Sequence, residues 1–421
     1  MVDSVEPMTD FSTKIDALLQ TYERFGVHLG LEASLKLLSD LGNPQKQVPI
    51  IHVAGSNGKG SVCAYLSSIL TEAGYKTGRY TSPHLIDWNE RICINGQPIA
   101  SAALYQTLLK VQSQIDPEHS PTQFEVITAA MWLYFAEQQV DIAVIEVGLG
   151  GRLDATNVVD NPLVSVIVSI SREHWQRLGF TISNIAQEKA GILKANHPAV
   201  IGQLPDEAKA VVDRQIAALG CPVVYPQPSQ LIGGWAHQGS LKYQLPLQGE
   251  IQLHNSALAI AAIQFLRQQN WNISDDAIVN GIANTTWAGR MQWYEWQGNR
   301  ILIDGAHNPA SAIALRQFVD SLNRPIHWVM GMLTTKDHAD VFRALLRSQD
   351  SLYLVPVPGH SSADPSELAT LAKEICPGLE TCQVYPDVFA GLQAAQSESL
   401  TVLCGSLYLI GDFFQQQRDR S

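Results

Sequence analysis

Residues 48–74 read VPIIHVAGSNGKGSVCAYLSSILTEAG, and this stretch decides the fold. An apolar, β-branched run from Val48 enters a turn that carries Gly55, Asn57, Gly58, Lys59, Gly60 and Ser61. Val62, Leu66, Ile69 and Leu70 then recur at helical spacing, and Gly74 is the stop. A strand delivered through glycines into a helix makes an anion site. The backbone comes close to the ligand, successive N–H groups converge, and the helix N-terminus adds positive potential. Lys59 supplies a charge, and the Ser61 hydroxyl is placed to reach a nucleotide-bound Mg²⁺. The commonest nucleotide loop has four residues between its first glycine and the Gly-Lys pair. Here only Ser56 and Asn57 intervene, and Gly60 separates Lys59 from Ser61.

Outward from this loop the pattern alternates. Residues 11–42 read as two helices interrupted at Leu29-Gly30-Leu31-Glu32. Lys76 to Thr81 reads as a second strand, ending in Thr81-Ser82-Pro83-His84. Gln123 to Gln138 reads as an amphipathic helix with Phe124, Ile127, Met131 and Tyr134 on one stripe. Val140–Val147 is a nearly continuous apolar run of the kind buried in a parallel sheet, and Leu163–Ile170 is another apolar strand. Residues 220–250 read as strands and loops at the edge of that domain. The tryptophan-rich stretch Trp287–Gly298 breaks the rhythm, and a second βα series starts at Arg300. The expected architecture is α/β with two tandem α/β domains. An N-terminal P-loop ATPase-like parallel sheet spans residues 1–296, and a smaller Rossmann-like domain spans 297–421.

Composition excludes several classes. Of 421 residues, 46% are hydrophobic and 16% charged, so large cores are available and widespread disorder is not expected. A net charge of −12 argues against nucleic acid as a partner. The six cysteines are scattered with no C-x-x-C pair, which fits buried free thiols better than disulfides or zinc. The N-terminus MVDSVEPMTD is acidic and leads into no apolar segment, and no run reaches membrane-spanning length. A cytoplasmic protein without membrane partners is expected.

Three segments join the loop as chemistry. Glu146 stands at one strand end, His174 just beyond the next, and Lys189 on the helix after that. Alone, each is what an ordinary surface supplies. On consecutive strand ends beside a phosphate loop they read as Mg²⁺ and phosphate ligands, and the carboxylate oxygen suits a hard cation. Later, Asp304 and His307 lie in Ile303-Asp304-Gly305-Ala306-His307-Asn308-Pro309, Arg290 follows Trp287-Ala288-Gly289, and Asn255 sits early on its helix. An interdomain cleft would draw polar groups from both sides.

The motifs HVAGSNGKGS, TSPHL with ERICING, EVGLGGRLDATNV, IAQEKAGILK, WAGR, IDGAHNP and GSLYLIG follow one another along nearly the whole chain. In that order they resemble the folylpolyglutamate synthase/dihydrofolate synthase family of the Mur ligase superfamily. The resemblance implies an ATP-dependent acid–amino-acid ligase. It would add L-glutamate to reduced folates, and also to dihydropteroate, through an acyl phosphate. Gly55, Asn57, Gly58, Lys59, Gly60 and Ser61 would hold ATP, with Asn255, Arg290, Asp304 and His307. Ser61, Ser82, Glu146 and His174 would bind Mg²⁺, at two sites. Lys59, His174 and a carbamylated Lys189 would serve catalysis. Gly30, Leu31, Glu32, Ala33, Thr122, Gln123, Phe124, Glu125, Leu153, Asp154 and Ala155 would line the folate or pteroate site. Such an enzyme is expected to be a monomer.

The chain departs from the family pattern at three places. Glu173 stands before His174 where Asp is usual, Ala288 replaces a proline and loosens Arg290, and Ala33 replaces an arginine of some bifunctional members. The alternatives are a monofunctional folate-extending enzyme, a Mur-type ligase, and a nucleotide switch without ligase activity. The absence of a UDP-binding domain ahead of the loop weighs against the Mur type.

Overall fold

The structure, a computed structural model, describes residues 11–22, 30–116 and 120–420. Its chain divides into two compact units, Met1–Pro226 with Leu258–Gly281 and Gln227–Ala257 with Ile282–Ser421. The first ten residues and Leu29, which entered the sequence reading, lie outside the described residues. No helix among the described residues is long and apolar enough to cross a membrane.

The first unit is a sheet of eight strands. They are β1 (Ile50–Ala54), β2 (Thr77–Tyr80), β3 (Ile92–Ile94), β4 (Gln97–Pro98), β5 (Ile142–Glu146), β6 (Val164–Ile167), β7 (Ala199–Ile201) and β8 (Val223–Val224). Their order is β4-β3-β2-β5-β1-β6-β7-β8. β3 and β4 pair antiparallel, while β2, β5, β1, β6, β7 and β8 run parallel. Every residue of β1, β5 and β6 is buried, the consequence of apolar runs placed mid-sheet with both faces covered. The chain leaves β1 toward β2 and later returns on the other side to β6. β1 is therefore the switch point, and the crevice beyond its carboxyl end is where a ligand is received.

The helix Gln123–Glu137 corrects one expectation. It is buried nearly all round, with Trp132 and Phe135 at 0% exposure, while Phe124 and Tyr134 of the supposed core stripe are only half-buried. Composition made a buried helix look amphipathic, because alanines and a threonine occupy its other faces.

The second unit holds a meander of β9 (Gln230–Ile232), β10 (Trp235–Gln238) and β11 (Leu241–Tyr243). Its main sheet contains β12 (Gln292–Trp296), β13 (Asn299–Ile303), β14 (Ile326–Met330), β15 (Ser351–Leu354), β16 (Thr381–Val384) and β17 (Leu400–Cys404). The order is β12-β13-β17-β14-β15-β16, parallel except for the β12–β13 hairpin. The tryptophan-rich stretch thus supplies an edge strand. Gln297 at φ 48° and Gly298 at φ 76° form the left-handed two-residue turn that a tight hairpin needs. Trp296 lies inside this hairpin, and residues 227–257, read as an edge of the first domain, pack with the second unit.

A buried ion pair sits in the second core. Arg316 donates to Asp350 at 2.6 Å, and the same carboxylate oxygen accepts Trp328 Nε1–H at 3.1 Å and Arg347 N–H at 2.9 Å. Arg316→Met should leave that carboxylate without a counter-charge and destabilise the protein by about 3 kcal/mol in urea unfolding. A change below about 1 kcal/mol would show the pair to be dispensable.

Candidate active site

β1 ends at Ala54, and the loop after it is shaped by two glycines. Gly55 has φ 155°, and a Cβ there would lie 3.1 Å from Val168 Cβ and 3.2 Å from the Ser169 nitrogen. Gly58, at φ 84°, is the left-handed N-cap of the helix Lys59–Glu72, which has no side-chain cap. Its first N–H groups are therefore left for an anion. Ser61 is buried in the first turn. The loop tip is fastened to the end of β6: Ser56 N–H donates to Ser169 O at 2.8 Å, and Ser171 N–H to Ser56 Oγ at 2.9 Å. Asn57 N–H donates to Ser169 Oγ at 3.0 Å, and Ser169 Oγ returns a hydrogen bond to Asn57 O at 2.9 Å. Asn57 thus shapes the loop, and the backbone donors facing an anion begin after it.

Two lysines meet at one carbonyl. Gly55 O accepts Lys59 Nζ at 2.9 Å and Lys189 Nζ at 2.8 Å. Lys189 lies at the end of the helix Ile182–Ala190, 2% exposed, and pairs with Glu173 at 2.9 Å. Burial lowers the Lys189 pKa and Glu173 opposes this, while Lys59 lowers it further. Burial raises the Glu173 pKa, but Lys189, Lys59 and His174 prevail and hold it near 2. His174 is exposed, in left-handed conformation at the start of the short helix Trp175–Leu178.

From the neighbouring strand ends come the other groups. Glu146, last residue of β5 and 4% exposed, accepts Ser82 N–H at 3.2 Å. Burial, with Glu146 adding to it, holds the Cys63 thiol well above its ordinary range, so Cys63 is no nucleophile. Among the described residues no three His, Cys, Asp or Glu side chains are grouped so as to hold a metal. Glu146 and Ser82 form one pair, and His174 falls with Glu173 and Lys189. All these segments follow the carboxyl ends of β2, β5, β1 and β6, four adjacent strands.

The expected substrate residues divide by role. Phe124 packs its ring on Gly148, where a Cβ would come within 2.4 Å of it, and faces Tyr80 with ring centroids 6.3 Å apart. Glu125 is buried in a capping box: it accepts Thr122 N–H at 2.8 Å and the Thr122 hydroxyl at 2.9 Å, and also the Ser34 hydroxyl at 2.8 Å. It ties two helices together, so it is a poor probe of ligand binding and Phe124 a better one. Gln123 donates to Leu19 O at 3.1 Å. Gly30 and Leu31 lead into the helix Glu32–Asp40, which carries Glu32 and Ala33. Asp154, between Leu153 and Ala155, accepts Leu149 N–H at 2.8 Å and Thr156 N–H at 3.0 Å.

In the second unit, Asp304 follows β13 and accepts Met291 N–H and Ala306 N–H, each at 2.8 Å. Burial raises its pKa, and Arg290 acts against that. Gly305 lies beneath the Arg290 guanidinium, where a Cβ would stand 2.4 Å from a terminal nitrogen. His307 Nδ1 is 2.7 Å from Gly305 O. Two hydrogen bonds, Gly289 N–H to Gln292 Oε1 and Gly305 N–H to Gly289 O, both 2.9 Å, fix the turn that Ala288 was expected to loosen. Asn255, buried on the helix Ile251–Gln268, donates to Gln252 at 3.0 Å.

The Mur ligase middle domain model matches residues 53–263, and the model of the dihydrofolate synthetase C-terminal domain matches residues 291–416. A probable dihydrofolate synthetase of Schizosaccharomyces pombe is 35% identical over 92% of this chain and 98% of its own. The chain belongs to the folylpolyglutamate synthase/dihydrofolate synthase family. A dihydrofolate synthase/folylpolyglutamate synthase of Bacillus subtilis is 34% identical over 92% of this chain and 95% of its own. An Escherichia coli structure in complex with DHPP and ADP superposes with a TM-score of 0.85 at 29% identity, covering 100% of both chains.

Sequence reasoning missed the hydrogen-bond partners of the loop and of Lys189. Ser169 and Ser171, which hold Asn57 and Ser56, were given no role in the sequence, although two serines just past a buried strand were the signal available. Glu173, noted in the sequence only as standing where Asp is usual, pairs with Lys189 in the structure. Lys59→Ala should lower kcat roughly 10²-fold or more in a protein that still folds. Near-normal turnover in a folded variant would remove Lys59 from the chemistry.

Proposed function

We propose that the protein joins L-glutamate, at the expense of ATP, to the carboxylate of dihydropteroate and of reduced folates. The observation carrying this is the convergence of loop, lysines and buried carboxylate at four adjacent strand ends in a chain of this family. A carboxylate is a poor electrophile at neutral pH. Its oxygen attacks the γ-phosphorus of ATP, the bond to ADP breaks, and an acyl phosphate results. The glutamate amine then attacks the acyl carbon, the amide forms, phosphate leaves, and the amine gives up a proton. The helix N-terminus beyond Gly58 and the Lys59 ammonium offset the negative charge of the transferring group, and positioning supplies the rest.

Mg²⁺ fits the oxygen donors present: the Glu146 carboxylate and Ser61 hydroxyl are buried, and the hydroxyl of Ser82 and imidazole of His174 complete the proposed set over two sites. When bound, it would neutralise phosphate charge. Leu153–Ala155, Gly30–Ala33 and Thr122–Glu125 form the proposed folate and pteroate surface, and Asn255, Arg290, Asp304 and His307 the further ATP contacts. The functional division near residue 296, a monomeric state and a cytoplasmic location complete the reading.

Lys189 is proposed to be carbamylated: the neutral amine adds to CO₂ and releases a proton. Two ammonium groups on one carbonyl repel; conversion of Lys189 to an anion would make its contact with Lys59 attractive and set the carbamate beside the Glu173 carboxylate, a repulsion that a bound Mg²⁺ would offset. Protein equilibrated with ¹³C-labelled CO₂ should give a carbamate resonance that disappears in Lys189→Ala, and that variant should be nearly inactive. A fully active wild type without the resonance overturns the assignment.

The deciding assay measures glutamate-dependent phosphate release with dihydropteroate and tetrahydrofolate in parallel. Release with both is expected; release with tetrahydrofolate alone would limit the protein to folate extension. Phe124→Ala should raise KM for dihydropteroate roughly three- to tenfold, the worth of one aromatic contact. An unchanged KM would take Phe124 out of the pteridine contact.

A further inference from the structure

His52 is a lone polar side chain in the middle of β1, between Ile51 and Val53 and 1% exposed. The reaction as derived above does not use it. Its Nε2 is 2.9 Å from Thr156 Oγ1, and Thr156 is fully buried. Thr156 Oγ1 lies 2.6 Å from Asp154 Oδ1, a length typical of a hydroxyl donating to a charged oxygen. Burial raises the Asp154 pKa, and against it act the Thr156 hydroxyl and the Leu149 and Thr156 N–H groups that Asp154 accepts, donors that favour its ionised form.

With Asp154 ionised, the proton count gives the direction of the chain. A threonine hydroxyl carries one proton, and here it goes to Asp154. His52 must therefore be the donor to Thr156, which requires the neutral ring to hold its hydrogen on Nε2. Burial, with Lys194 adding to it, lowers the His52 pKa to about 3, so the ring stays neutral. The line His52 to Thr156 to Asp154 runs from the central strand into the loop 148–155, and it ends by gripping Leu149 N–H. That loop carries Gly148, on which the Phe124 ring rests.

We propose that His52, acting through Thr156, is a positioning residue for the pteridine-bearing substrate: its Nε2–H orients the Thr156 hydroxyl, which holds Asp154 and so sets the loop 148–155. This rests on the reading that Leu153–Ala155 meets that substrate. His52 is also two residues from Ala54, where the ATP loop begins, so a merely structural role would disturb ATP binding instead.

The experiment separates these. Thr156→Val keeps the shape and removes the hydroxyl, whereas Thr156→Ser keeps it. His52→Leu removes the donor, whereas His52→Gln places an amide N–H near the same point. Thr156→Val and His52→Leu should raise KM for dihydropteroate roughly tenfold, the scale of one buried hydrogen bond, with kcat and KM for ATP within about twofold. Thr156→Ser and His52→Gln should stay within about threefold of wild type. An equal rise in KM for ATP, or no rise in either, overturns the proposal. In ¹⁵N NMR of the wild type, His52, assigned by its loss in His52→Gln, should show the Nε2–H tautomer and no titration from about pH 5 to 9. An Nδ1–H tautomer or a titrating ring overturns it, and if His52→Gln fails to fold the ring is assigned in the wild type by through-bond correlation to the His52 backbone. If dihydropteroate is not turned over, tetrahydrofolate replaces it in the same comparison. If neither is turned over, the functional reading fails, and the tautomer still decides whether His52 is the donor.

Discussion

The carbonyl of Gly55 is the constraint on which the active site depends. It ends the central strand, and it receives both Lys59 and Lys189. Two cations within reach of one oxygen repel, and Glu173, its side chain 9% exposed, pairs with Lys189 there. The arrangement holds because the backbone is fixed from three sides. Gly55 leaves no room for a side chain beside Val168, Ser169 brackets Asn57, and Ser171 holds Ser56. A site so crowded with positive charge suits a ligand that brings several negative charges, as a nucleoside triphosphate does.

The fold was legible where one signal dominated. β1, β5 and β6 are apolar runs broken by His52, by the terminal Glu146 and by Ser165, and a twice-covered parallel strand buries every residue in that way. It was less legible where composition spoke ambiguously. Gln292–Trp296 alternates too weakly to announce a strand, and its pairing is set by the left-handed turn at Gln297-Gly298 rather than by its own side chains. The helix at 123–137 was placed correctly, but its buried faces were not, because alanine does not distinguish a core from a surface.

The candidate site divides in the same way. The loop, Ser82, Glu146 and His174 could be picked out because each closes a strand or opens a helix, and strand ends are where open α/β sheets receive ligands; Lys189 stood on the helix that follows. Hydrogen-bond partners could not be read, since they depend on which side chains meet across tens of residues. Glu125, expected beside the substrate, also anchors a helix cap and is reached by Ser34 from 91 positions away. Asn57 looked like a phosphate donor and spends its N–H on Ser169.

Asp154 carries this point furthest. A carboxylate offers about four acceptor positions. Leu149 N–H, Thr156 N–H and the Thr156 hydroxyl take three of them, and Gly148 N–H also acts on the group. A ligand seeking that carboxylate would have to displace a donor already in place within a site only 5% exposed. The groups left to meet a substrate along this loop are therefore its backbone, the Leu153 side chain and the half-buried Phe124 ring resting on Gly148. A flat heteroaromatic ring needs that kind of surface, an aromatic face beside fixed peptide groups. Asp154 would then contribute to recognition by holding the peptide groups still, and its charge serves the loop more than the ligand.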